Sequence, residues 1–207
     1  MTTAFQTVID YAENISINRR KKVAQTTSRD GTVKSTSLGG QIWEFEVQLP
    51  SGPAWTTFRP LIEKMEYLDR TTVGTIQINK AGHSYISGYQ GNLASTSGIV
   101  VSFSGSGNIV TRTSGATGLS SGQYRFRAGD FIQLGSSGKV YSVADDVAYN
   151  ADNIVLNRPV RETAGSYTLL VGQAVTWSVI CVQFPKWTIF GYDQIQWDGP
   201  FVFAEAV

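Results

Sequence analysis

Few side chains in this sequence could do chemistry, and none stands in a pattern that would let it. His83 and Cys181 are the only histidine and the only cysteine. His83 lies in Ala81-Gly82-His83-Ser84, beside turn residues. As a base it would need a nucleophile and an orienting acid, so a surface turn histidine is expected. Cys181 alternates with Val175, Trp177 and Val179 on one strand face. A thiol there, with no cation or helix terminus beside it, is a small inert hydrophobe. One cysteine excludes an intrachain disulfide. One histidine and one cysteine also exclude a site built only from those types, and any two-histidine metal motif. Gly105-Ser106-Gly107 precedes no helix and no Gly-Lys-Ser/Thr, so a hairpin loop is expected rather than a phosphate cradle. Asp145 and Asp146, with Asp130 and Asp152, lack the spacing of an EF-hand loop, and adjacent strand residues point to opposite faces. Turn or exposed carboxylates are expected. A carboxylate pair for glycoside hydrolysis stays open, because it is defined by separation in space. No catalytic, cofactor-binding or metal-ligating residue is assigned, and no enzyme is expected.

The one charge run is Arg19-Arg20-Lys21-Lys22. Four like charges can meet phosphates or acidic head groups, or serve as a localisation signal; they can also be a solvated strand entrance or pair with an acidic neighbouring subunit. The whole chain favours the last two readings. It has 207 residues, with 17 Lys and Arg against 16 Asp and Glu, for a net charge of +1. A nucleic-acid binder needs a larger basic excess, so no stable nucleic-acid binding is expected. Charged residues make up 16% of the chain while 42% are hydrophobic and 12% aromatic, which excludes a disordered chain. No apolar run approaches the ~18 residues of a membrane span, so no membrane binding is expected. Residues Met1 to Gln6 lack a basic start and an apolar core, so no signal peptide is expected and synthesis is placed in the cytoplasm.

The elements that would position these residues are mostly strands. Val23 to Arg29 and Thr32 to Ser37 flank the turn signal Asp30-Gly31, which predicts a hairpin. In Gln41 to Leu49, Trp43, Phe45, Val47 and Leu49 share one face while Glu44, Glu46 and Gln48 share the other. Trp55, Phe58, Leu61, Ile62, Met65 and Leu68 repeat at helical spacing, predicting one helix over about 57–70 with Thr57 as N-cap, Pro60 in its first turn and a Glu66–Arg70 pair. Thr75 to Asn79 resumes β structure. From Gly91 to Gly122 the chain is dense in Gly, Ser and Thr, with Ile99-Val100-Val101 as its apolar anchor. Short strands then follow at Arg125–Leu134, Lys139–Val147, Asn153–Asn157 and Tyr167–Val171. Their spacing suggests a small closed barrel. Val175 to Phe184 is apolar on both faces, as a central strand would be. Trp187, Trp197, Phe201 and Phe203 need a core, and the N-terminal β region is their natural partner.

The expected architecture is therefore mainly β. Residues 1–90 with 174–207 form a β-sandwich-like domain with one helix, and 91–173 form an inserted small β-barrel, OB-like in character. Charge agrees with joined ends: residues 1–40 hold six basic and three acidic groups, and 176–207 hold one basic and three acidic.

Three stretches carry a family resemblance. Leu38-Gly39-Gly40-Gln41-Ile42-Trp43-Glu44-Phe45-Glu46-Val47-Gln48-Leu49-Pro50, followed by a helix, resembles the opening of the distal tail proteins and related tail-tip hub proteins of long-tailed bacteriophages. Arg127-Ala128-Gly129-Asp130-Phe131-Ile132-Gln133-Leu134-Gly135 with Lys139 to Val147, and then Ile154 to Arg161, is similar to that family's inserted barrel. The matches follow one another in the family's order and spacing. The resemblance implies a tail-tube-type first domain and a structural virion protein: a homo-hexameric ring at the distal end of the tail tube. Its implied partners are the tail tube protein, the tail-tip hub and tape-measure proteins, and receptor-binding or fibre proteins. Within such a ring, Arg19, Arg20, Lys21 and Lys22 are candidates to pair with Glu44 and Glu46 of a neighbour, setting register more than affinity. The alternative is a carbohydrate-binding β module, with the barrel stacking host-surface glycans on aromatic side chains.

Overall fold

The computed structural model describes residues 3–19, 23–37, 41–68, 70–136 and 138–206. The protein is mainly β, and its chain divides into two compact units. One takes residues up to Ile76 and from Ser178 onward; the other is the continuous stretch Gln77–Trp177.

The first unit is built on a five-stranded sheet. Its strands are β1 (Asn14–Asn18), β4 (Glu44–Gln48), β5 (Gly74–Ile76), β14 (Trp177–Gln183) and β17 (Phe201–Glu205), in the order β1-β4-β17-β14-β5. The last strand of the chain thus lies between two from its first half and its end, with Phe203 opposite both Phe45 and Cys181. The alternation of Trp43, Phe45, Val47 and Leu49 buries all four. Two helices cover that face: α1 (Ala4–Asp10) and α2 (Trp55–Leu68). In α2 the stripe Phe58, Leu61, Ile62 and Met65 is buried. In α1 Phe5, Val8 and Ile9 are buried, and the Phe5 ring lies 5.2 Å from that of Phe203. Two hairpins complete the unit: β2 (Val23–Thr27) with β3 (Val33–Ser37), and β15 (Lys186–Phe190) with β16 (Gln194–Asp198).

Several expectations are corrected here. The unit has two helices rather than one; the seven residues of α1 are too short for periodicity to declare them, and Thr3 caps them by accepting from the Gln6 N–H at 3.2 Å. Helix α2 starts at Trp55, so Thr57 is its third residue and not its N-cap. Pro60 then falls inside the helix, where its missing N–H leaves the Thr56 carbonyl without a helical donor; both residues are exposed, so water can serve that carbonyl. Arg70 lies beyond the helix end with φ of +32°, so it is not a helical partner of Glu66. Strand β14 does lie inside the sheet, but only Trp177, Val179 and Cys181 are buried; Val182 on the other face is exposed.

The second unit is a curled sheet. Its strands are β6 (Val100–Phe103), β7 (Ile109–Ser114), β9 (Phe131–Leu134), β10 (Val140–Ser142), β12 (Asn153–Val155) and β13 (Gly165–Val171), ordered β10-β9-β13-β6-β7-β12 with antiparallel neighbours. Just past the two outer strands, Val143 bridges Leu156. The Ala144 N–H donates to the Val155 carbonyl at 2.8 Å and the Asn157 N–H to the Ser142 carbonyl at 3.0 Å. The sheet therefore curls until its edges meet, which removes two open edges. Inside lie Ile99, Val101, Val110, Phe126, Ile132, Tyr141, Ile154 and Leu169. A short pair, β8 (Tyr124–Phe126) with β11 (Val147–Ala148), completes the unit.

This unit starts at Gln77, not at residue 91, and ends at Trp177 rather than 173. The reason is side-chain anchoring of the flanks. Tyr89 packs on the barrel core and its hydroxyl donates to the Arg125 carbonyl. The Gln90 N–H donates to Asp130 at 2.8 Å. At the other end Gln133 grips Thr176 twice, accepting from its N–H at 2.9 Å and donating to its carbonyl at 3.1 Å.

Candidate assembly surface

Among the described residues of the first unit, three exposed large apolar side chains lie close together in sequence on the β15–β16 hairpin. Its register sets Trp187 opposite Trp197 and Ile189 opposite Ile195, so these four share a face. Ile195 and Trp197 are buried, and the Trp197 ring meets those of Phe58 and Phe201. Trp187 is half-buried and stacks on Trp55 with ring centroids 4.8 Å apart. Towards the turn the cover ends: Ile189 and Phe190 are exposed and Tyr192 is fully so.

That turn is held firmly. Gly191 and Asp193 both have positive φ, +59° and +64°, which lets the chain reverse tightly. Asp193 then caps α2 from outside: its carbonyl accepts from the Trp55 N–H at 3.0 Å, and its carboxylate accepts from the Thr56 hydroxyl at 3.1 Å. On the hairpin's other edge, the Gly52 N–H donates to the Ile195 carbonyl at 2.9 Å and the Ile195 N–H to the Pro53 carbonyl at 3.1 Å. The apolar turn is thus fixed at the N-terminal end of α2.

At the C-terminal end of α2 lies an apolar cleft of about 440 Å³. It is lined by Thr3 and Phe5 of the α1 region, by Tyr67 and Leu68 of α2, and by Val73 and Gly74 leading into β5. Tyr67 and Val73 are exposed. Gly74 is required by close approach: a Cβ there would stand 2.3 Å from Phe5 Cδ2. Helix α2 has 14 residues, so about 20 Å separates its two ends.

The sequence-predicted contact residues fall as follows. Glu46 is exposed and Glu44 half-buried; both point away from the helix-covered face, opposite Ser16 and Asn18 of β1. Arg19, next after β1, lays its guanidinium over the Trp43 ring at 5.4 Å, and burial lowers its pKa. Its carbonyl accepts from the Gln41 amide at 2.5 Å. Arg20, Lys21 and Lys22 lie outside the described residues, as do Leu38, Gly39 and Gly40 of the first resemblance stretch. The β2–β3 hairpin is exposed over residues 23–27 and 33–36, with Val23 and Val33 open to solvent.

Of the chemical candidates, Asp130 and Asp146 meet at Arg127. His83 sits in the turn after Lys80, its N–H donating to the Lys80 carbonyl at 2.9 Å. Cys181 is buried on β14, and burial pushes its thiol up to about 11. Asp130 is buried, accepting from the N–H groups of Gln90 and Arg127 at 2.8 and 2.7 Å; burial raises its pKa. Asp146 accepts from the Ala128 N–H at 2.8 Å and pairs with Arg127 at 2.6 Å, which lower its pKa. Asp152 pairs with Arg112 at 2.6 Å and Arg125 at 3.1 Å. Asp145, the fourth candidate carboxylate, is exposed. Among the described residues no group of three His, Cys, Asp or Glu side chains could hold a metal ion, and no helix is long and apolar enough to cross a membrane.

Compared with known proteins, the chain matches no family model and no curated sequence. Sequence reasoning placed Trp187 in a core and missed the apolar turn after it. The available signal was Ile189-Phe190-Gly191-Tyr192, where apolar residues run on into turn chemistry instead of giving way to polar ones.

Proposed function

We propose that this chain is a structural virion protein, forming a ring at the distal end of a bacteriophage tail tube and joining the tube to the tail-tip hub and receptor-binding apparatus. The observation that carries the reading is the architecture. A unit made from both ends of the chain, a sheet with helices on one face, is interrupted by one continuous curled-sheet unit at Gln77–Trp177. An interrupted first unit is what the resemblance to distal tail proteins implies, although one sheet with two helices stands where a β-sandwich with one helix was expected, and the resembling stretches fall on its framework. Gln41 to Pro50 supplies β4, and Arg127 to Gly135 supplies the Asp130 turn and β9.

The reading assigns no catalysis; Asp130, Asp146 and Asp152 hold backbone or ion-pair partners. The glycan-binding alternative asks for two or three aromatic rings side by side on a solvent face of the barrel. Among the described residues of that unit the exposed large hydrophobic side chains are Tyr85 and Ile109, and the Tyr124 ring is covered by the Arg127 guanidinium at 4.0 Å. This favours the ring. The test is electron cryomicroscopy of the native particle. Several copies in a closed ring at the tube end are expected; a single asymmetric copy, or a chain absent from particles, refutes the reading.

A further inference from the structure

We propose that neighbouring copies join head to tail through α2, the apolar β15–β16 turn of one copy entering the cleft at the C-terminal end of α2 in the next. The proposal rests on the ring reading and names the surfaces that build it.

The first unit carries a knob and a hole that cannot meet within one chain. The knob is Ile189, Phe190 and Tyr192, held by the Asp193 cap on the first residues of α2. The hole is the cleft of about 440 Å³ at the far end of the same helix. With about 20 Å of helix between them, the knob and the cleft of one chain cannot engage each other. Two different patches on one subunit make a heterologous contact, which repeats by rotation and closes into a ring or runs on as a filament.

Size and charge fit a second copy as the occupant. The cleft has room for a tyrosine ring with part of a phenylalanine beside it. Asp193 stands at the knob and Lys64, beside Glu63, lines the cleft, so an acid of one copy can meet a base of the next. The positive end of one helix dipole also approaches the negative end of the next. Area sets the strength. The exposed parts of the three knob residues amount to roughly 350 Å², well under the ~800 Å² per partner of a stable complex. One contact alone is therefore weak, and a closed ring, in which every copy is held on two sides, is the form that persists.

Disulfide trapping tests this on the full chain. Tyr192→Cys and Val73→Cys replace exposed side chains, and Cys181 is buried. The double variant, at about millimolar concentration under mild oxidation, is expected to give a ladder of multiples on non-reducing gels. Mixed single variants should give dimers, and each single variant alone should stay monomeric. A control pair, Tyr85→Cys with Val73→Cys, also replaces exposed side chains and should give no ladder. Absence of the ladder, or a control ladder of equal strength, overturns the contact. The ring reading is judged separately: a multi-copy ring in the particle without this cross-link leaves the ring and removes only the contact, while a single copy removes both.

Discussion

Asp130 is the carboxylate whose removal should be felt most. It is 1% exposed and accepts from two backbone N–H groups, Arg127 at 2.7 Å and Gln90 at 2.8 Å. The first bond shapes the turn at Gly129, whose φ is +103°. The second fastens the segment leading into the curled-sheet unit. Asp130→Ala removes both acceptors and leaves two donors with no side-chain partner. At about 1–3 kcal/mol for each buried polar group so orphaned, partly relieved by water entering the gap, the loss is about 2–4 kcal/mol. For a unit of about 100 residues unfolding by itself, that is a midpoint drop on the order of 10–20 °C. Asp130→Asn keeps one acceptor oxygen and should lose about half as much. The pH dependence adds a second check. Burial raises the pKa of Asp130, so the folded state holds its proton more tightly than the unfolded chain does. Stability from this group is then present below the unfolded carboxylate pKa and is lost as pH rises through the folded value. Asp146 and Arg127 also face it, and Asp146 is shifted downward by Ala128 and Arg127. The useful quantity is therefore the difference between wild type and Asp130→Asn, which should move against the wild type as pH rises across the carboxylate range. Thermal and urea unfolding followed by tryptophan fluorescence and circular dichroism would measure it. An Asp130→Ala loss below about 0.5 kcal/mol, the level of an ordinary surface change, would refute the clamp.

Two further outcomes follow from the fold. Replacing residues 77–177 by a short Gly-rich linker should leave a first unit that unfolds cooperatively, because β5 and β14, where the cut is made, are neighbours in one sheet and a short closure costs little; a molten product in calorimetry would contradict the division. Cys181, buried with its thiol raised to about 11, should resist alkylation at pH 8 in the native protein and react at once in denaturant; rapid native labelling would show that β14 opens.

Local pattern determined more about this protein than its low charge suggested. The alternation of Trp43, Phe45, Val47 and Leu49 can be satisfied only by a strand with one buried face, and the stripe from Phe58 to Met65 only by a helix lying on such a face. Asp30-Gly31 set the β2–β3 turn, with Gly31 at φ +83°. The lack of a metal-loop or triad spacing around His83, Cys181 and the aspartates was readable in the sequence, but the meeting of Asp130 and Asp146 at Arg127 was not. What sequence could not hold was anything decided by partners far along the chain. The start of α2 depends on Asp193, more than a hundred residues away, so Thr57 looked like the cap while Thr56 receives it. The boundary at Gln77 depends on Tyr89, Gln90, Gln133 and Thr176 finding barrel partners. The assembly surface depends most of all on tertiary structure. Trp187, Ile189 and Phe190 have the composition of a core strand, and only the placement of their hairpin at one end of α2 leaves the turn in water, because burial is a property of the finished packing and not of the residue.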